Sequence, residues 1–338
     1  MFKKYLLTGA TDFLGQAVLT ELRGKGEIDA LVMPGDRLAE SLPADVRAVT
    51  GNVCDAASLD SFFAGAGADT CVIHCAGIVS VASDPGQRIY DVNVGGTRNV
   101  LDQCIAHGVG KLVHVSSVHA IPEKPKGTVV SDAAVFDPAL VEGDYAKSKA
   151  MATALVMEAA RNGLNASVVL PSGIIGPGDI AGGSITNMLL SFIRGRLPFA
   201  VKGGYDFVDV RDVAKGIAAC TEKGRPGSCY ILSGHYASIR TILETVKKIT
   251  NVKWLVSYLP IKLAKWVAPF YEKQSLRRKK PLYFTPYSVA VLDSNGAFSN
   301  QNARSELGYA PRDLASTLHD TLVWLRGRGL LPRRRAEA

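Results

Sequence analysis

Two spacings of apolar residues alternate through the first half of the chain. Short runs in which nearly every position is apolar fall at residues 4–8, 30–32, 48–49, 70–74, 111–115 and 166–170. Between them, at 14–23, 58–64, 93–107 and 145–162, apolar residues recur every three or four positions. The first spacing predicts strands buried on both faces, and the second predicts the helices that cover them. The expected fold class is therefore α/β, a doubly wound parallel sheet.

Beyond Leu170 the alternation loosens into Pro171-Ser-Gly-Ile-Ile-Gly-Pro-Gly178 and a polar, glycine-rich stretch. A strand and a helix return at 207–221 and again at 228–250, whereas 251–313 reads as irregular. The expected organisation is a core over 1–170, rejoined by 205–250, with a smaller C-terminal lobe and tail from 171–204 and 251–338.

Composition changes this picture little, since 47% hydrophobic and 21% charged residues over 338 positions suit an ordinary folded chain. The formal charge of +8 is concentrated in Arg277-Arg278-Lys279-Lys280 and Arg333-Arg334-Arg335. These runs read as solvated loops and a tail, so nucleic acid is not an expected partner; contact with acidic lipid headgroups is the sharper alternative. The apolar run after Met1-Phe2-Lys3-Lys4 stops at Thr8-Gly9, short of a secretion signal. No apolar stretch reaches the roughly 18 residues needed to span a bilayer.

The six cysteines form no C-x-x-C pair and read as small hydrophobes in a reducing, cytoplasmic setting. Cys71-Val-Ile-His74-Cys75 has metal-binding residue types, but alternation along a strand aims His74 away from both thiols, so no metal is expected.

Chemistry enters at Thr8-Gly-Ala-Thr-Asp-Phe-Leu-Gly15, directly after the first strand. A strand, a glycine turn and a helix in succession aim free N–H groups and the positive end of the helix dipole at one point, which suits a pyrophosphate. Gly9 supplies the turn and Gly15 the close packing of helix on sheet. Between them Asp12 puts a carboxylate where a pyrophosphate would lie. Three readings are open: it caps the helix, it weakens binding, or the site has lost its dinucleotide.

A second signal is Tyr145-Ala-Lys-Ser-Lys149, which places a phenol and an ammonium one helical turn apart. A nearby ammonium favours the phenolate, and such a pair can exchange a proton with a carbonyl oxygen. Upstream, Ser116-Ser117 closes a strand at the carboxyl edge of the sheet, where ligands bind in this architecture.

These motifs, with His74-Cys-Ala-Gly77, Asn93-Val-Gly-Gly-Thr-Arg-Asn-Val100, Leu170-Pro-Ser-Gly-Ile-Ile-Gly-Pro-Gly-Asp179 and Phe207-Val-Asp-Val-Arg-Asp-Val-Ala214, resemble the extended short-chain dehydrogenase/reductases over nearly the whole chain. The resemblance implies a Rossmann-type sheet with a substrate-binding lobe, and hydride transfer between NAD or NADP and a CH–OH or C=O carbon. Carried over position by position, it makes Tyr145 the proton donor or acceptor and gives Lys149 the tuning of that phenol and the nicotinamide ribose. Ser117 then orients the substrate oxygen and Asn93 supports the lysine. It places the cofactor against Gly9, Thr11, Asp12, Phe13, Leu14, Gly15, Asp36, Arg37, Asn52, Val53, Cys75, Ala76, Gly77, Tyr145, Lys149, Pro171, Gly173 and Ile174. It further implies a homodimer through the helices of Asn93 and Tyr145.

Sugar-nucleotide members of that family carry an arginine before the Phe207 element; here Lys202-Gly-Gly-Tyr205-Asp206 has none. The motifs resemble the 3β-hydroxysteroid dehydrogenase and dihydroflavonol reductase branch, which implies a small hydrophobic substrate. His119, Tyr205 and Trp266 are the candidate substrate contacts, Trp266 lying in a stretch, 260–271, that reads as a lobe helix, a pocket wall or an interfacial helix. Asp212 reads as the cap of a helix over 213–221. A nucleotide-sugar epimerase or dehydratase, and a non-catalytic binding protein, remain as alternatives. On the adenosine side, Met33, Asp36 and Arg37 leave NAD against NADP nearly balanced, with a slight lean to NAD, and Asn52 replaces an aspartate common in relatives.

Overall fold

The computed structural model describes residues 2–131, 135–278, 282 and 284–331. The basic positions Lys279, Lys280 and Arg333-Arg334-Arg335 lie outside the described residues. Strand β1 (Lys4–Thr8) runs into α1 (Phe13–Leu22), followed by β2 (Glu27–Val32), β3 (Val46–Thr50), a short α2 (Asp60–Phe63) and β4 (Thr70–His74). A helix then runs as α3 (Arg88–Tyr90), a π turn (Asp91–Gly95) and α4 (Gly96–Ala106), and β5 (Lys111–Val115), α5 (Asp144–Arg161) and β6 (Ala166–Pro171) complete the first half.

The second half comprises β7 (Gly173–Ile175), α6 (Ser184–Ile193), β8 (Phe199–Val201), β9 (Gly204–Asp209), α7 (Val210–Lys223), β10 (Cys229–Leu232), β11 (His235–Ser238) and α8 (Ile239–Thr250). After these come β12 (Ser257–Leu259), α9 (Ile261–Arg277), α10 (Pro286–Asp293) and α11 (Leu314–Gly327).

Seven strands form the main sheet in the order β10-β6-β5-β4-β1-β2-β3, every pair parallel. β1, β4, β5 and β6 are buried along their length except at Lys4, which is why they read as continuous apolar runs. One face packs Val18, Leu19 and Leu22 of α1 with Val213 and Ile217 of α7; the other packs α4 and α5. The order reverses between β1 and β4, so a crevice opens at their carboxyl ends.

The strand at 204–209 does not join the main sheet. It lies in a second sheet, β11-β9-β7, beside the carboxyl end of β6, and a two-stranded sheet β12-β8 adds to it. Segment 251–313 is more regular than its pattern suggests, holding β12, α9 and α10. Helix α9 runs through Pro269, which sits on its exposed side. Its inner face packs Ala264 and Ala268 with Val201, Phe284 and Val289 into a small core. Three hydrogen bonds tie this part to the loop after β4: the buried Glu272 carboxylate accepts from Ser83 N and Oγ at 2.8 and 2.7 Å, and Thr285 Oγ1 donates to Val81 O.

Asp209, not Asp212, caps α7, accepting from Arg211 N at 2.8 Å. Asp212 is buried in the first turn, where it accepts from Arg312 Nη2 at 2.8 Å and Arg312 N at 2.7 Å.

Candidate active site

Gly9 takes φ +70°, a conformation that glycine adopts freely, and a Cβ there would stand 2.8 Å from Ala76 N. A Cβ on Gly15 would collide with Gly9 O, so only glycine lets α1 start this close to β1. Thr8 joins this turn to β4, its hydroxyl accepting from Ala76 N at 3.1 Å and bonding His74 Nδ1 at 2.8 Å. His74 Nε2 bonds Thr97 Oγ1 at 3.0 Å, so its ring serves packing. The start of α1 thus points into the crevice between β1 and β4.

Asp12 holds the N-cap position of α1 with φ −76° and ψ 169°, but its side chain accepts no N–H there. The expected side-chain cap is not made, and no left-handed backbone is asked of the residue. Its carboxylate is exposed at the mouth of the turn, and its pKa is raised by partial desolvation and then by Asp36. Asp36 curls back to the turn, accepting from Thr11 Oγ1 at 2.7 Å and from Leu38 N at 2.9 Å. Arg37 is exposed beside it, as is Met33.

Two carboxylates therefore border the phosphate turn. An Asp12→Gly substitution is expected to tighten NADH binding about tenfold, as removal of one charge near a diphosphate is worth roughly 1 kcal/mol or somewhat more. A fluorescence titration reads it; unchanged or weaker binding would assign Asp12 to holding the turn.

Further along this edge, Asn52 Oδ1 accepts from Cys54 N at 3.0 Å, fixing a local turn, and Val53 fills the space that a side chain on Gly96 would need. Cys75-Ala76-Gly77 extend β4, and burial pushes the Cys75 thiol up to about 12. A Cβ on Gly77 would lie 3.1 Å from both Asn93 Oδ1 and Lys149 Nζ, so the backbone here leaves an open cradle beside the lysine. Across the crevice, Pro171, Gly173 and Ile174 end β6 and form β7. Beyond them Gly178, at φ +106°, presents its backbone to the Phe13 ring, 3.8 Å from where a Cβ would be. Leu14 is half-buried behind Phe13 in α1.

Of the two serines after β5, Ser116 is engaged, its Oγ bonding Thr153 Oγ1 at 2.6 Å and so fastening α5 to the strand. Ser117 caps a short 3-10 turn, accepting from His119 N at 3.3 Å, and its hydroxyl also lies beside the Tyr145 phenol. Helix α5 brings up Tyr145 and Lys149, both buried. Lys149 Nζ donates to Val115 O at 3.0 Å, and burial lowers its pKa to about 8. Asn93 sits in the π turn, a distortion common at functional sites, accepting from Ile78 N at 2.7 Å. It also donates to Ile78 O and Ser148 Oγ, each at 3.0 Å.

The phenol differs from expectation. Burial raises the Tyr145 pKa and the Ser117 hydroxyl only partly offsets this; Lys149 does not lower it among the protein groups alone. The pair stands ready as a neutral phenol beside an ammonium of reduced pKa.

Above Tyr145 lies an aromatic cluster. His119 stacks on Tyr205 (centroids 5.3 Å, 10° between planes), meets Tyr145 edge-on at 5.8 Å and lies 6.0 Å from Tyr287. Burial lowers the His119 pKa to about 4, so the ring is neutral. Tyr287 is the residue that sequence reasoning missed. Its ring packs on Gly143, which holds φ +87° just before α5, and a Gly-Asp step ahead of Tyr145 is the one trace of it in the sequence.

Trp266 is not part of this cluster; it stands on the outer side of α9 against Phe270. Helix α10 separates two hollows. Tyr287 and Val291 line a small one of about 70 Å³ with His119, Tyr205 and Phe298, while Ser288 and Leu292 line a larger one of about 490 Å³. The larger is walled by Leu190, Leu197, Phe199, Tyr271 and Phe284, with Arg194 and Arg196 also in its lining.

Comparison with known proteins follows the same lines. A model of the NAD dependent epimerase/dehydratase family matches residues 5–232. Sterol demethylase protein B of Methylococcus capsulatus is 29% identical over 332 residues, 96% of this chain and 99% of that one. A putative dihydroflavonol 4-reductase of Synechocystis is 28% identical, covering 96% of this chain and 95% of its own. Among solved structures, gox2253 superposes with a TM-score of 0.84 at 29% identity, over 98% of this chain and 100% of that one. UDP-glucose 4-epimerase of Thermotoga maritima does so at 0.79 and 18% identity, over 96% and 99%, a likeness of fold alone.

Proposed function

Because the chain belongs to the NAD dependent epimerase/dehydratase family, and is thus an NAD-dependent enzyme acting at a CH–OH or C=O carbon, we propose that its substrate is a hydrophobic, polycyclic secondary alcohol or ketone of steroid or flavonoid type. The observation that carries this reading is the juxtaposition of Ser117 and Tyr145 with an aromatic wall of His119, Tyr205 and Tyr287, which lines a small hollow of about 70 Å³; the larger apolar hollow lies on the other side of α10 and holds none of these residues.

The residues at the turn and around Gly77 fit a dinucleotide, which when bound supplies hydride transfer at its nicotinamide carbon. The Ser117 and Tyr145 hydroxyls hydrogen-bond the substrate oxygen. In the reducing direction Tyr145 gives its proton to that oxygen as the carbon gains hydride; in the oxidising direction it takes the proton back. Lys149, next to the open cradle at Gly77, holds the ribose side, and the Ser117 hydroxyl is the protein group that favours the phenolate left on Tyr145. Asn93 fixes the chain between Gly77 and the π turn. A homodimer through α4 and α5 belongs to the same reading, supported by the exposed Ile105 and Met151 on those helices.

One observation favours a second reading, a nucleotide sugar: Arg194 and Arg196 line the larger hollow, although Arg194 Nη2 already donates to Leu330 O at 2.8 Å. A panel of ketosteroids, hydroxysteroids and flavonoid ketones against UDP-sugars and dTDP-sugars, with NADH production or consumption as readout, separates them. Turnover of the polycyclic compounds is expected; turnover confined to nucleotide sugars would overturn the proposal.

A further inference from the structure

We propose that the outer face of α9 docks the protein onto the surface of an anionic lipid bilayer. This goes beyond the reading of the reaction and stands apart from it. The helix has its apolar and small residues in reversed places. Its inner face is built from Ala264, Ala268, Ser275 and the Glu272 carboxylate. Its outer face carries Leu263, Trp266 and Phe270, 44%, 69% and 66% exposed, at positions three and four apart, so that they form one stripe. Trp266 and Phe270 pair with ring centroids 5.9 Å apart. Isolated exposed apolar residues are ordinary; an aromatic stripe along one helix is not.

Charge names the occupant. Lys262, Lys273 and Arg277 flank the stripe and are exposed, while the one carboxylate of the helix, Glu272, is turned inward to Ser83. The outward surface of α9 is thus aromatic and cationic with no acid of its own. That combination suits the boundary between acyl chains and anionic headgroups, where aromatic rings insert and lysines and arginines meet phosphate. Among the described residues no helix is long and apolar enough to cross a membrane, so the contact is with one surface. Tyr271, on the opposite side of the same helix, packs on Phe284 at 5.3 Å and lines the larger hollow. One helix therefore has one side for the bilayer and the other for the apolar hollow.

The test is co-sedimentation of the full chain with vesicles of phosphatidylcholine mixed with phosphatidylglycerol, and with phosphatidylcholine alone. Binding to the anionic vesicles is expected, at least about tenfold weaker to the neutral ones and weakened by salt. A Leu263→Ser/Phe270→Ser variant and a Lys262→Glu/Lys273→Glu variant should each lose about tenfold or more of that binding, with NADH affinity and thermal midpoint unchanged. Wild-type protein that stays in the supernatant, or variants that bind like it, would overturn the proposal. So would a concentration-dependent dimer of the wild type that the Leu263→Ser/Phe270→Ser variant abolishes, since the stripe would then be a protein interface.

Discussion

Replacing Tyr145 by phenylalanine is expected to lower turnover by roughly 10²–10⁴-fold, the usual worth of a positioned acid or base, while leaving NADH affinity within about twofold. The ring would remain, and with it the edge-on contact to His119 and the buried seat on α5. Only the hydroxyl beside Ser117 would go. Steady-state turnover on the best substrate of the panel, with a parallel NADH titration, separates loss of chemistry from loss of cofactor. Full turnover in Tyr145→Phe would remove the phenol from proton transfer and return the site to a binding role.

Acid should destabilise the fold steeply. Burial lowers His74 to about 3 and His119 to about 4, and lowers His114 well below the ordinary value of 6.5, to which all three return on unfolding. Above pH 6.5 the rings are neutral in both states and the linkage vanishes. Below it the unfolded chain binds protons that the folded one refuses, so stability falls with pH. Each ring costs up to about 1.4 kcal/mol per pH unit down to its folded pKa. His114 adds to this most directly, because neither ring nitrogen has a hydrogen-bond partner and a charge there would be unpaired.

Asp206 works in the opposite sense. Burial raises it to about 6, so it favours the folded state at low pH and loses that contribution between about pH 4 and 6. It therefore offsets one histidine over part of the range. The thermal midpoint should drop markedly from pH 6.5 to 4.5, and less so in a His114→Leu variant. A flat profile in the wild type would mean that the rings titrate as if exposed.

The sheet was legible because parallel strands covered on both faces leave an almost uninterrupted apolar mark; 4–8, 70–74 and 111–115 match β1, β4 and β5 end to end. The region after residue 251 was legible only in part: β12 and α10 left no mark, whereas 260–271 already read as a helix among other readings, though not with the face that α9 buries. Its large apolar residues face outward and its inward contacts are alanine, serine and a carboxylate, so the usual helical signature is inverted, and Pro269 interrupts it again. In the candidate site, Tyr145, Lys149 and Ser117 were visible because their placement follows from spacing along one element or from a strand end. Tyr287 and the bond from Thr11 to Asp36 depend on which distant loops meet. Asp212 read as a cap because a carboxylate at a helix start normally is one; here the helix begins three residues earlier and Arg312, 100 residues away, claims the charge.

The bonds from Glu272 to Ser83 and from Thr285 to Val81 join positions 189 and 204 residues apart. During synthesis the segment after Gly77 must therefore wait for a stretch of chain made much later. At roughly 5–20 residues per second, about 10–40 s pass between the appearance of Ser83 and that of Glu272. In the later part of that interval, once Pro171 has been made, strands β1–β6 are all present but the loop beside Lys149 still lacks its bonds to Glu272 and Thr285. A nascent chain stalled before α9 would thus carry the phosphate turn and the Tyr145 helix without a finished active site, with its early loop open to proteases.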